Sequence, residues 1–205
     1  EKHGLQANFM AKPFSQLSGS GLHIHFSLNN SRGENVFASP VNALSSMMRL
    51  CIAGQLALMP ASVAILAPGV NAFRRLRKNL TEPVFNSWGY NTRSAALRIP
   101  CSEESNRRIE YRLAGADANP YLVAATILTG MLYGLEHIDE GELPEPQQDQ
   151  PELPLFQQEA MEAFARCQYL TDSLGDAFSE QWVACKLSEL EWFERIVTQE
   201  ESHLA

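Results

Sequence analysis

The 205-residue chain lacks the signatures on which several large functional classes depend. It has no G-x-x-x-x-G-K-[ST] run and no G-x-G-x-x-G run, so neither a P-loop nor a Rossmann fingerprint is available. Any nucleotide would have to be held by arginines, histidines and metal instead. There is no G-x-S-x-G elbow, and no single Ser or Cys stands out as a nucleophile. Four cysteines, Cys51, Cys101, Cys167 and Cys185, form no C-x-x-C pair and show no metal-ligand spacing. They read as reduced, buried thiols of a cytosolic protein. No basic segment followed by an apolar one opens the chain, and no apolar run approaches the length of a membrane span. Positive charge is also short. With 16 Lys and Arg against 24 Asp and Glu, the net charge of −8 argues against nucleic acid or an anionic membrane as the main partner. A local basic site for a small anion is still allowed.

What is present is ordinary for a soluble globular protein: 45% hydrophobic and 20% charged residues, enough for one large domain or two small ones. Residues 7–14 and 22–28 are β-compatible runs, joined by a bend at 18–21. A second turn at 29–33 leads into 35–38. Pro40 is placed to open a helix containing Leu44, Met47, Met48, Cys51, Leu56 and Leu58, which Pro60 is expected to end before a shorter helix to Leu66. Residues 94–99 and 108–113 alternate in the manner of strands. Pro120 to His137 reads as a long apolar helix with Asn119 as its N-cap. A Pro-rich acidic loop follows near 138–154, and residues 155–205 read as a C-terminal helical region in which Trp182, Trp192 and Phe193 take core positions. Strands in neighbouring pairs predict an α+β fold with a curved, largely antiparallel sheet flanked by helices.

Two groups of residues carry chemistry. In Gly19-Ser20-Gly21-Leu22-His23-Ile24-His25, strand alternation projects His23 and His25 to one face, directly after a glycine bend. They are either a metal or phosphate site, or the solvated side of a half-buried strand. Arg74, Arg75, Arg93, Arg98, Arg107, Arg108 and Arg112 then crowd into one stretch of an acidic chain. They suit a multiply anionic ligand, or else surface ion pairs with Glu82, Glu103, Glu104 and Glu110. On a strand, Arg108, Glu110 and Arg112 share a face, as a metal ligand beside anion contacts or as a neutralised ladder.

Taken in order, the blocks Phe9-Met10-Ala11-Lys12-Pro13-Phe14, Gly19 to Ser27, Asn71-Ala72-Phe73-Arg74-Arg75-Leu76, Trp88-Gly89, Asn91-Thr92-Arg93-Ser94, Arg98-Ile99-Pro100, Arg108 to Arg112 and Ala118-Asn119-Pro120-Tyr121-Leu122 resemble the catalytic domain of the glutamine synthetase family. The resemblance covers nearly the whole chain and identifies residues 1–205 as a C-terminal portion of that domain. It implies an ATP-dependent glutamate–amine ligase acting through γ-glutamyl phosphate, with Mg2+ or Mn2+, in a cytoplasmic homo-oligomer. Residue by residue, it implies His23 and Glu110 as metal ligands, and His25, Ser27, Arg93, Arg98 and Arg108 as ATP contacts. Gly19, Arg75 and Arg112 would face glutamate, and Arg93 would also act on the transferred phosphoryl group.

Departures from the family pattern sharpen these expectations. Thr81, with Glu82 beside it, occupies the position of a flap glutamate that serves ammonia in the family. This points to an amine acceptor of the polyamine or putrescine type, with true glutamine synthetase and a non-catalytic relative as alternatives. Ser18 and Ser105 stand where Asn and Lys are usual. The N-terminal β-grasp domain and upstream metal-binding glutamates of the family find no match, so the chain is expected to be inactive alone.

Overall fold

The structure, a computed structural model, describes residues 2–40, 43–78, 82–139, 143–146, 151–199 and 201. In chain order the elements are β1 (Ile24–Phe26), α1 (Ser46–Leu66), α2 (Val70–Phe73), β2 (Trp88–Tyr90), β3 (Leu97–Ile99), a 3-10 turn (Glu104–Asn106), β4 (Ile109–Tyr111), α3 (Pro120–His137), α4 (Gln157–Arg166), α5 (Gln168–Leu174) and α6 (Asp176–Glu194). The four strands form one sheet in the order β1-β4-β3-β2. The β1/β4 and β3/β4 pairs are antiparallel and β2/β3 is parallel, so the α+β class holds with a mixed sheet.

Register sorts the sheet into two faces. Ile24, Tyr111, Leu97 and Trp88 lie opposite one another across the four strands, and the last three are buried. The next row, His25, Glu110, Arg98 and Gly89, points the other way and carries charge.

Helix α1 forms the centre of the core. It starts at Ser46, not near Pro40, because Ser45 accepts from the Met48 N–H as an N-cap. It also runs through Pro60 to Leu66 as one helix, against the expected break. Proline removes the N–H that would bond the Leu56 carbonyl, but Asn86 Nδ2 donates to that oxygen at 2.9 Å. The helix has the length and apolarity of a membrane span, which the sequence reading missed, yet 78% of that window is buried inside the protein. Helix α3 matches its expected bounds, with Asn119 Oδ1 accepting from Tyr121 and Leu122 N–H groups. The α1/α3 crossing is glycine-lined: a Cβ built on Gly54 would lie 2.6 Å from Gly134 Cα. There Gln55 Nε2 donates to the buried Ile127 carbonyl at 2.6 Å.

Other expectations need correction. Residues 7–14 form no strand; Lys12 instead exchanges two hydrogen bonds with the Asn71 side chain, at 2.8 and 2.9 Å. Of the cysteines only Cys51 is buried, whereas Cys101 and Cys185 are exposed, and all four are free. Trp192 lies on the outer side of α6, 67% exposed, because the helix buries little beyond Ser179. The described residues of 138–154 form neither helix nor named strand, although Glu152 bridges to Phe85.

Candidate active site

Alternation along β1 buries Leu22, Ile24, Phe26 and Leu28 partly against the core and leaves His23, His25 and Ser27 exposed. Across the strand interface the register sets Glu110 between His25 and Arg98. Glu110 is the hub of the charged face, its side chain only 5% exposed. Its Oε2 accepts from Arg98 Nη1 at 2.7 Å, and its Oε1 from Arg112 Nη1 at 3.1 Å. His23 Nδ1 lies 3.1 Å from the same Oε1, and His25 Nε2 lies 4.0 Å away. Burial opposes the Glu110 charge. The Arg98 hydrogen bond, with the charges of Arg112, Arg98 and His23, overrides it and holds the carboxyl below its ordinary range. Burial, then Arg112, pushes the His23 imidazole down and favours the neutral ring, although the Glu110 charge and hydrogen bond push the other way.

Each arginine is fixed by a second contact. Arg98 Nη2 donates to Asn91 Oδ1 at 2.7 Å, and Asn91 itself sits in the left-handed region at φ 47°. Arg112 Nη2 donates to the Arg93 carbonyl at 3.0 Å, which anchors the Arg93 backbone while its side chain is exposed. Arg108 Nε donates to His25 Nδ1 at 3.3 Å. Arg75 is 1% exposed. Its Nη2 donates to the Leu113 carbonyl, and its Nη1 lies 3.9 Å from Glu82 Oε1. Gly19 packs directly on it: a Cβ there would lie 2.5 Å from Arg75 Cγ and 2.8 Å from the Ala11 carbonyl.

A cavity of about 790 Å3 opens over this face. His23, Arg93, Arg98, Glu110 and Arg112 line it, together with Lys78, Glu82, Pro83, Val84, Phe85 and Ser94. Five of the sequence-named residues thus share one wall. Gly19 and Arg75 lie beneath, His25 and Arg108 stand beside the Glu110 row, and Ser27 follows His25 on the exposed side without touching the hub. Sequence reasoning noted Glu82 as an ion-pair partner for the arginines, which its approach to Arg75 bears out, and as a shifted neighbour of Thr81, which lies outside the described residues. It missed Val84 and Phe85 altogether. Their position is set by pairing with distant chain: Leu153 N–H donates to the Val84 carbonyl and Asn86 N–H to the Pro151 carbonyl, both at 2.9 Å. Nothing in the local pattern signals such a contact.

His23 Nδ1 and Glu110 Oε1 lie 3.1 Å apart, an imidazole and a carboxylate, which are donor types that suit Mn2+ or Mg2+. No group of three or more His, Cys, Asp or Glu side chains placed to hold a metal occurs among the described residues. The pair therefore fits a metal that takes its remaining ligands from elsewhere.

Fold and site together define an α+β domain with a carboxylate hub, surrounded by arginines, on the open face of a mixed sheet. The chain belongs to the glutamine synthetase family: the sequence model described as glutamine synthetase, catalytic domain, matches residues 1–204. It is 44% identical over 205 residues to gamma-glutamylputrescine synthetase PuuA of Escherichia coli (strain K12), covering 98% of this chain and 43% of that protein. It is 42% identical over 138 residues to glutamate–isopropylamine ligase of Pseudomonas sp, covering 66% of this chain and 30% of that protein. Among solved structures, a GmaS/ADP complex superposes with a TM-score of 0.89 at 28% identity, covering 100% of this chain and 50% of the other. The chain thus spans no more than about half the length of these relatives.

Proposed function

We propose that the protein supplies the ATP- and glutamate-facing wall of an ATP-dependent glutamate–amine ligase whose acceptor is an alkylamine such as putrescine. The observation that carries this reading is the composition of the cavity: Glu110, bonded by Arg98 and Arg112, shares it with Glu82, Val84 and Phe85. Transfer of the γ-phosphoryl group of ATP to the glutamate side chain brings two anions together, so closely spaced arginines are what the step requires. Arg93 and Arg98 would meet the phosphates, with His25, Ser27 and Arg108 on the nucleotide, while Arg75, Arg112 and Gly19 would take glutamate. His23 and Glu110 would hold Mg2+ or Mn2+, which when bound neutralises phosphate charge. On the lining of the same cavity, Glu82 suits an ammonium group, and Val84 and Phe85 suit its alkyl chain. The printed names of two relatives, gamma-glutamylputrescine synthetase and glutamate–isopropylamine ligase, support an amine as acceptor.

A candidate metal site with two protein ligands among the described residues also supports the reading that this chain is inactive alone and works within a larger, homo-oligomeric enzyme. A cytoplasmic setting suits its free thiols. The second reading is true glutamine synthetase, favoured by the Glu82 carboxylate standing beside Arg75 at the cavity. Phosphate release by the full-length polypeptide, supplied with glutamate, ATP and either putrescine or ammonium, separates the two. Faster turnover with putrescine is expected; equal or faster turnover with ammonium would sink the amine preference.

A further inference from the structure

A second cavity, about 510 Å3, lies between α2, the start of α4 and the end of α6, and shares no lining residue with the first. Glu162 on its lining is paired with Arg166 at 3.2 Å, but the two arginines there are not spent on ion pairs among the described residues. Arg74 lies over the Phe193 ring at 5.4 Å and Arg77 over the Phe156 ring at 5.2 Å. A guanidinium stacked this way keeps its in-plane N–H groups open to an anion, and neither arginine forms an ion pair among the described residues. Helix α4, ten residues long, opens at the same cavity on extended Phe156 without a side-chain cap, which leaves its first-turn N–H groups facing the same way.

The cavity also holds groups that an anion alone would leave unmet. Gln157 is 4% exposed; its Nε2 donates to the Lys186 carbonyl at 2.9 Å, while its Oε1 is buried without a partner. Glu159 and Glu194 line the same space. A simple anion would meet these carboxylates, and a simple cation would meet the arginines.

We propose that this cavity binds a small zwitterion of amino-acid size, with its carboxylate on Arg74, Arg77 and the first turn of α4. Its ammonium lies toward Glu159 and Glu194. Arg74 adjoins Arg75, so a ligand held here fixes the same turn that carries Arg75 beneath the first cavity.

Isothermal titration calorimetry of the chain with L-alanine and ω-aminopentanoate, and with pentanoate and pentylamine as single-charge controls, tests this. At least one zwitterion is expected to bind about tenfold more tightly than either control. The paired change Arg74→Gln and Arg77→Gln, and separately Glu194→Gln, should each weaken it by about tenfold, while Arg112→Gln in the first cavity leaves it within about twofold. Absence of saturable heat with both zwitterions overturns the proposal. So does undiminished binding in the Arg74/Arg77 variant, or loss of binding in Arg112→Gln, which would move the ligand to the first cavity.

Discussion

Asn86 donates to the Leu56 carbonyl at 2.9 Å, occupying the acceptor that Pro60 strips of its helical partner. One side chain from outside the helix thus allows a proline in the middle of the central core helix. Replacing Asn86 by Ala should destabilise the fold by about 1–3 kcal/mol, the cost of a buried carbonyl left unmet. Pro60→Ala restores a backbone donor at that position and should recover part of the loss in the double variant. Chemical denaturation of the four proteins checks the coupling; additive effects would contradict it.

That device also shows where sequence reading stops. Helix α3 was legible to the residue because its cap, its first proline and its apolar run all lie within one segment. The grouping of the histidine pair, and that of Glu110 with Arg108 and Arg112, were legible because alternation fixes which side chains share a strand face. Arg74 and Arg107 turn elsewhere, to the second cavity and to the Ser39 and Pro40 carbonyls. Helix α1 was misread at both ends: Ser45 competes with Pro40 as a start, and the remedy for Pro60 comes from residue 86. The wall formed by Val84 and Phe85 was invisible for the same reason, since pairing with residues 151–153 aligns it.

The α1/α3 crossing depends on bare backbone. A methyl group on Gly54 would press on the Gly130 carbonyl and on Gly134, neither of which can swing aside. Gly54→Ala is therefore expected to cost at least about 3 kcal/mol, at the upper end for overpacking. Gly69→Ala, where a Cβ meets nothing within 4 Å, serves as the control. Thermal melting of the two should separate them clearly; similar midpoints would contradict the close crossing.

Tyr169 links α5 to α3 by donating its hydroxyl to Glu136 Oε2 at 2.6 Å. That hydrogen bond, followed by burial and the charge of Glu136, pushes the phenol up to about 12 from an ordinary 10.0. The folded form therefore favours the protonated phenol. Its contribution is fully present below the ordinary value and is lost as pH rises through about 12. Ultraviolet difference titration should show Tyr169 among the late tyrosines, beside Tyr90 and Tyr111 that burial also pushes up, and Glu136→Gln should move one of those late steps back down. An unchanged titration in that variant would rule out the bond.

The central proposal is that Glu110, held by Arg98, Arg112 and His23, serves as the hub of a phosphoryl-transfer site in the full-length polypeptide. Glu110→Gln in the full-length polypeptide keeps the shape and removes the charge. Glutamate-dependent phosphate release from ATP, measured on protein shown to be folded by circular dichroism, should fall by at least about 100-fold. Turnover within about twofold of the unaltered enzyme would contradict the account.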